Sequence, residues 1–494
     1  MKSVVDRLKL FSICCLLLGN PLFTRVVFAE SKPKPAIQNL DKQPSLCTRQ
    51  LSTEIERVIN RPKLMRSRWG IEIQTITGKH VYSLDGDKFF NPASAAKLLV
   101  SAAGLLEFGA NYRLKTPIYS QGNPPVLKSL RIYGQGDPTL SSQSLKNIVH
   151  QLQSRGVERI ENLIIDDRYL EPPAVNPTWE WIDVHSYFAT AVNSTILNQN
   201  TVTLTLLPQQ VGEPVKFFWD DAIAASQWQV INQATTGKAD LKYAVEIDGD
   251  LGKPLLKLRG ELAVNEPPDV WDLAVVDPAR YFLESLRLQL VKGGISITRG
   301  TVIDRPMELS DLPDTEIMAI YAPPMQKILA EINQASNNLY AEVLGKILAR
   351  RLKLDTSKAI AYHLQKIGIA PEKYVLVDAS GLSRQNLVTP QTLVKLLQLM
   401  ARSSDPQTAH SYRQSLAVAG KSGTLKNRFT NTPIQGNLWG KTGTLTGVGA
   451  LSGYMNSSNI PLVFSIIVNN SELKNREIRQ AIDEIVAIVN RLEC

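Results

Sequence analysis

Apolar residues at Leu51, Ile55, Val58 and Ile59 lie on one helical face across residues 46–60, and Pro62 ends the segment. Two strand-like runs follow at 69–77 and 80–84, parted by Thr77-Gly78-Lys79. Asn91-Pro92 then leads into an apolar, Ala-rich stretch from about 94 to 108, which predicts a helix. The far end of the chain answers this pattern. Residues 438–444, 449–455 and 461–469 predict three strands, and Ile478, Ile482, Ile485, Val486 and Val489 form one stripe of a helix over 472–492. Two strands from the start and three from the end are expected to share one antiparallel sheet, with the terminal helices packed on one face.

The long stretch between the helix at 94 and residue 325 differs in character. Short β-like runs recur at Leu130–Tyr133, Leu163–Asp166, Val202–Leu207, Lys242–Ile247, Leu255–Leu258 and Ser296–Ile303. Turn signals such as Gly136-Asp137-Pro138 and Asp248-Gly249-Asp250 punctuate them. This reads as a β-rich insertion of two nested modules. Helical periodicity returns at 325–353 and 388–402. The expected fold class is α/β (α+β): residues 45–115 and 310–494 form one domain around a central antiparallel sheet, interrupted by an insertion over 116–309.

A chain of 494 residues with 44% hydrophobic and 20% charged residues is long enough for two or three globular domains. Formal net charge is +9, yet no basic run is interleaved with stacking aromatics, so nucleic-acid binding is excluded as a reading. The positive balance would suit an anionic polymer or a peripheral membrane contact, although a solvated surface is the plainer explanation. Residues 1–29 read as a secretory signal peptide: Lys2, Arg7 and Lys9 precede the apolar run Leu10–Leu18, and Val27-Phe28-Ala29 supplies a cleavage site before Glu30. An uncleaved anchor is the alternative. Residues 30–44 read as a flexible leader. Export to the periplasm or cell envelope follows. Cys14 and Cys15 would leave with the signal, and Cys47 and Cys494 remain as an even pair in an oxidising compartment. They are expected to form a disulfide, two unrelated thiols being the alternative.

The chemistry lies in three short motifs: Ser94-Ala95-Ala96-Lys97, Ser336-Asn337-Asn338 and Lys441-Thr442-Gly443. Spacing of i, i+3 puts Ser94 and Lys97 on one helical face, and a hydroxyl beside a desolvated, neutral lysine can be deprotonated. Ser336 sits between helical stretches, where a hydroxyl can relay a proton and the Asn338 carboxamide can hold a carbonyl. Lys441, Thr442 and Thr444 lie late in a predicted strand, suited to gripping a carboxylate, and Gly443 would let substrate backbone approach closely. Each motif recurs elsewhere. Ser471-Glu472-Leu473-Lys474 and Ser457-Ser458-Asn459 read as a solvated helix start and a loop. Lys421-Ser422-Gly423-Thr424 competes with Lys441-Thr442-Gly443-Thr444, but the second copy has the stronger hairpin context. No His/Asp pair suggests a conventional triad among 5 histidines, and no His or Cys cluster has metal-ligand spacing, so neither metal nor cofactor is expected.

With longer phrases added, the chain resembles the D-alanyl-D-alanine carboxypeptidase/endopeptidase family of low-molecular-weight penicillin-binding proteins, peptidase family S13. The phrases are Gly136-Asp137-Pro138-Thr139-Leu140, Asp166-Asp167-Arg168, Trp179-Glu180-Trp181, Asp378-Ala379-Ser380-Gly381-Leu382-Ser383-Arg384, Gly423-Thr424-Leu425 with Arg428-Phe429, and Gly440 to Tyr454. Ala379 departs from the family's usual glycine. The resemblance implies a transpeptidase/β-lactamase-like domain with nested insertions after the nucleophile helix. It implies Ser94 as nucleophile, Lys97 as general base, Ser336 as proton relay, Asn338 and Lys441 at the substrate, and Thr442 and Thr444 on its terminal carboxylate. Backbone N–H groups of Ser94 and Thr444 would form the oxyanion hole. The implied partners are peptidoglycan peptides, with β-lactam antibiotics as covalent inhibitors. A β-lactamase-like hydrolase and a non-catalytic wall-peptide-binding protein are the rival readings. Trp179 and Trp181 read as packing residues, contact with glycan or a partner being the alternative.

Overall fold

The computed structural model describes residues 46–250, 252–305, 315–457 and 460–493. Residues 1–29 and 30–44, expected from the sequence to be a signal peptide and a leader, lie outside the described residues. A six-stranded antiparallel sheet runs in the order Ala417–Val418, Leu438–Leu445, Val448–Ser457, Ile460–Asn469, Arg68–Thr75 and His80–Leu84. The two early strands thus join the three late ones, as the strand-like runs at the two ends of the chain led one to expect. Arg68 opposes Asn469 and Thr75 opposes Leu462 with no slip between them. Helices Thr48–Ile59 and Asn475–Val489 cover one face, where Leu51 and Ile55 meet Ile71, Phe464, Ile482 and Ile485.

The other face carries the helix Lys97–Phe108, with Met325–Asn333, Asn338–Leu352, Thr356–Lys366 and Pro390–Ala401 around it. Residues Lys97 through Leu105 are all buried. A helix apolar nearly all round belongs in a core rather than on a surface. That burial fixes Ser94 and Lys97 in a rigid frame, each buried Leu or Val contributing about 1.5–3 kcal/mol.

The insertion is built on a five-stranded sheet in the order Ser296–Ile303, Arg159–Asp166, Val126–Tyr133, Lys115–Asn123 and Thr315–Tyr321. The expected domain boundary at 309/310 is therefore corrected: Thr315–Tyr321 pairs with Lys115–Asn123, so the insertion's sheet ends at Tyr321. The strand runs also passed over two helices, Ser142–Ser154 and Pro278–Lys292. Both have a physical reason. Val126–Tyr133 pairs in parallel with Arg159–Asp166, and Arg159–Asp166 with Ser296–Ile303. Parallel neighbours cannot be joined by a hairpin, and each helix precedes the second strand of such a pair. A second group of shorter sheets lies between residues 201 and 274.

The ends of the described chain meet. Leu46 N–H donates to the Arg491 carbonyl at 2.9 Å and Glu493 N–H donates to the Leu46 carbonyl at 3.1 Å. Cys47, at the start of the first helix, is disulfide-bonded. Cys494 lies outside the described residues.

Candidate active site

The nucleophile turn is held by asparagines. Asn91 Oδ1 accepts from Ala93 N–H at 2.9 Å, and Asn469 Oδ1 accepts from Asn91 N–H at 2.7 Å. Ala93 is left with φ +46°, an uncommon conformation for a residue with a side chain. Ala93–Ala96 then forms a 3-10 turn that runs into the helix at Lys97. In a 3-10 turn i and i+3 eclipse, which brings Lys97 directly to Ser94.

Lys97 is fully buried, and its Nζ meets Ser94 Oγ at 2.9 Å, Asn338 Oδ1 at 2.6 Å and the Ser380 carbonyl. Burial pushes its pKa down to about 7, against the opposing pull of Asp378 and Glu342. A neutral lysine has two N–H bonds and one lone pair. With two carbonyl oxygens fixed as acceptors, the lone pair is aimed at the Ser94 hydroxyl.

Ser336 adopts φ +63° between helices Met325–Asn333 and Asn338–Leu352. Lys441 Nζ donates to Ser336 Oγ at 2.7 Å and to the Thr442 carbonyl at 2.8 Å. Burial and the neighbouring Lys97 charge both push Lys441 well below the ordinary lysine range. Asn338 also donates from Nδ2 to the Phe188 carbonyl at 2.8 Å, which leaves its second N–H for another acceptor. Asn337, between them, caps the following helix by accepting from Tyr340 N–H at 3.2 Å.

The strand Leu438–Leu445 supplies the third side. Thr444 is exposed, and Thr442 Oγ1 donates to Thr424 Oγ1 at 2.8 Å. The competing phrase is therefore packed beside the preferred one. Gly443 has a structural requirement of its own. A Cβ there would lie 2.4 Å from the Pro92 carbonyl and 3.2 Å from Ala93 Cβ, so its lack of a side chain lets the strand pack closely on the nucleophile turn.

Sequence reasoning missed the loop Asp378–Arg384 as site machinery. Asp378 accepts from Gly381 N–H at 2.8 Å, Ser383 N–H at 2.6 Å, Asn386 Nδ2 at 2.6 Å and Trp179 Nε1 at 2.9 Å. Glu342 accepts from Ala379 N–H at 2.9 Å and Ser380 N–H at 2.7 Å. Gly381, at φ +81°, faces the Ala93 carbonyl, where a Cβ would stand 2.0 Å away. The signal was present as the phrase around Asp378 and the i, i+4 spacing of Asn338 and Glu342. The insertion also reaches the site: Trp179 is 8% exposed and packs with Phe188, Ala189, Leu382 and Leu445, whereas Trp181 is 59% exposed and is not a packing residue.

A fold with a central antiparallel sheet between helical layers, with Ser–Lys, Ser-x-Asn and Lys-Thr-Gly elements converging, defines a penicillin-recognising serine hydrolase. Residues 51–489 match the D-Ala-D-Ala carboxypeptidase 3 (S13) family, and the chain belongs to that family. It is accordingly a hydrolase of the D-Ala-D-Ala carboxypeptidase class. The D-alanyl-D-alanine carboxypeptidase of Actinomadura sp. strain R39 is 29% identical over 447 residues, covering 85% of this chain and 81% of that one. Penicillin-sensitive carboxypeptidase A of Dictyostelium discoideum is 27% identical, covering 86% and 87%. The crystal structure of penicillin binding protein 4 from Haemophilus influenzae matches with a TM-score of 0.77 at 22% identity, covering 90% of this chain and 98% of that one, a likeness of fold.

Proposed function

We propose that Ser94 is the nucleophile of a D-Ala-D-Ala carboxypeptidase acting on peptidoglycan stem peptides through an acyl-enzyme. Neutral Lys97 takes the Ser94 proton as Oγ attacks the penultimate D-alanine carbonyl. Backbone N–H groups of Ser94 and Thr444 receive the developing oxyanion. The C–N bond breaks, and the proton held by Lys97 passes by way of Lys441 and Ser336 to the leaving D-alanine amine, which returns Lys97 to its neutral form. Water then hydrolyses the ester, with Lys97 again the base. Asn338 offers its remaining N–H to the substrate amide carbonyl. Lys441, Thr442 and Thr444 bind the terminal carboxylate, whose charge would draw a proton back onto Lys441. The observation that carries this reading is the three-way contact of buried Lys97 with Ser94, Asn338 and the Ser380 carbonyl.

The same set would accept an endopeptidase substrate, and it would be acylated slowly reversibly by β-lactams. Export to the periplasm or cell envelope, with residues 1–29 removed, and a Cys47–Cys494 disulfide complete the proposal. The disulfide is supported by the bonded state of Cys47 and by the pairing of Leu46 with Leu492. Release of D-alanine from a synthetic pentapeptide by the wild type, and none by Ser94→Ala, is the expected result. Wild type that releases nothing while leaving penicillin intact would favour the binding-only reading. Rapid destruction of penicillin without D-alanine release would favour a β-lactamase.

A further inference from the structure

We propose that Glu342 is a positioning residue for the acylation step, acting on Lys97 through the backbone of Ser380. The inference rests on the assignment of Lys97 as the base.

Glu342 lies one turn beyond Asn338 on the same helix and is 5% exposed. Its Oε1 accepts from both Ala379 N–H and Ser380 N–H. The carbonyl of that same Ser380 accepts from Lys97 Nζ. One residue of backbone therefore separates a buried carboxylate from the catalytic amine. The loop is pinned from its other side by Asp378, which accepts from Gly381 and Ser383 N–H, so the Ser380 carbonyl is clamped between two carboxylates. Asn338, one turn back, supplies the second acceptor on Lys97. The helix Asn338–Leu352 thus sets both oxygens that orient the lysine lone pair, one directly and one through Glu342.

Glu342 also brings charge. It pulls the pKa of Lys97 upward, as does Asp378, while burial and Asp378 push Glu342 up to about 7. Lys346, one turn further along the helix, faces Glu342, and Lys441 faces Lys97.

Anchoring and charge are separable. Glu342→Gln keeps an oxygen for the two N–H groups and removes the charge. Glu342→Ala removes both. The second-order rate of acylation by a fluorescent penicillin, followed from pH 5 to 9, reads each. Glu342→Gln is expected to hold the plateau rate within about threefold and to move the acid limb to lower pH, because the ammonium of Lys97 loses a stabilising neighbour. Glu342→Ala is expected to lower the plateau by about tenfold or more, since the Ser380 carbonyl is no longer held. Thermal unfolding of both variants separates misfolding from misplacement, and the isosteric Gln variant keeps the test if the Ala variant does not fold. Wild-type plateau and limb in both variants would overturn the proposal. So would an equal loss in both with an unmoved limb, which is what a purely structural carboxylate gives. Failure of wild type itself to be acylated at Ser94 would instead remove the site assignment beneath it.

Discussion

Gly443→Ala tests the contact between the catalytic strand and the nucleophile turn. A Cβ at 443 would stand 2.4 Å from the Pro92 carbonyl, 3.1 Å from Ala450 Cβ and 3.2 Å from Ala93 Cβ. The first distance is roughly 1 Å shorter than an ordinary carbon–oxygen contact. None of the three neighbours is the end of a flexible side chain. Pro92–Ala93 is tied by the Asn91 and Asn469 hydrogen bonds, and Ala450 is paired directly opposite residue 443. The strain must therefore move the turn that carries Ser94 or the strand that carries Thr444. Overpacking of this kind costs about 1–3 kcal/mol of stability. A displacement of the order of 1 Å between nucleophile and oxyanion donors costs about 100-fold in rate. Acylation by fluorescent penicillin in stopped flow, together with urea unfolding, measures both. A Gly443→Ala protein that acylates within about twofold of wild type would show that the strand and the nucleophile turn are not in tight contact.

Acylation should rise with pH through about 7 as Lys97 gives up its proton, because only the neutral amine can take the Ser94 proton. A rate that stays flat from pH 5 to 9 would contradict that role. Asp378→Ala strands four buried donors and is expected to cost about 3–5 kcal/mol in urea unfolding, a loss under about 0.5 kcal/mol contradicting its place at the centre of the loop. Cys47→Ser is expected to lower stability by about 2–4 kcal/mol under oxidising conditions, and reductant should bring wild type to the same value. Unchanged unfolding in the variant would count against a structural disulfide.

The sheet was legible because its strands carry alternation on both of its buried faces. Ile71, Ile73, Phe464 and Ile466 point to the terminal helices, while Ala450, Tyr454, Val463 and Ile467 point to the nucleophile helix. Such near-continuous apolar runs mark strands that are covered on both faces. The insertion was less legible, since its sheet closes with Thr315–Tyr321, a strand distant in sequence from its partner Lys115–Asn123. Nothing local to either segment reports that pairing. In the site, Ser94, Lys97, Ser336, Asn338 and Lys441 stood out because reactive side chains sit in short fixed spacings. Ser380 contributes a carbonyl, which any residue has, and Asp378 works by collecting backbone N–H groups across a loop. Such roles depend on the path of the backbone, not on residue type. Thr424 reads in the sequence as half of a duplicate phrase, and its hydroxyl lies against Thr442 in the structure.

The most direct test of the account is to locate the β-lactam adduct by peptide mass mapping of the labelled protein. One adduct is expected, on the peptide carrying Ser94, and none in Ser94→Ala. An adduct on Ser422 or Ser471, or labelling that survives Ser94→Ala, would contradict it.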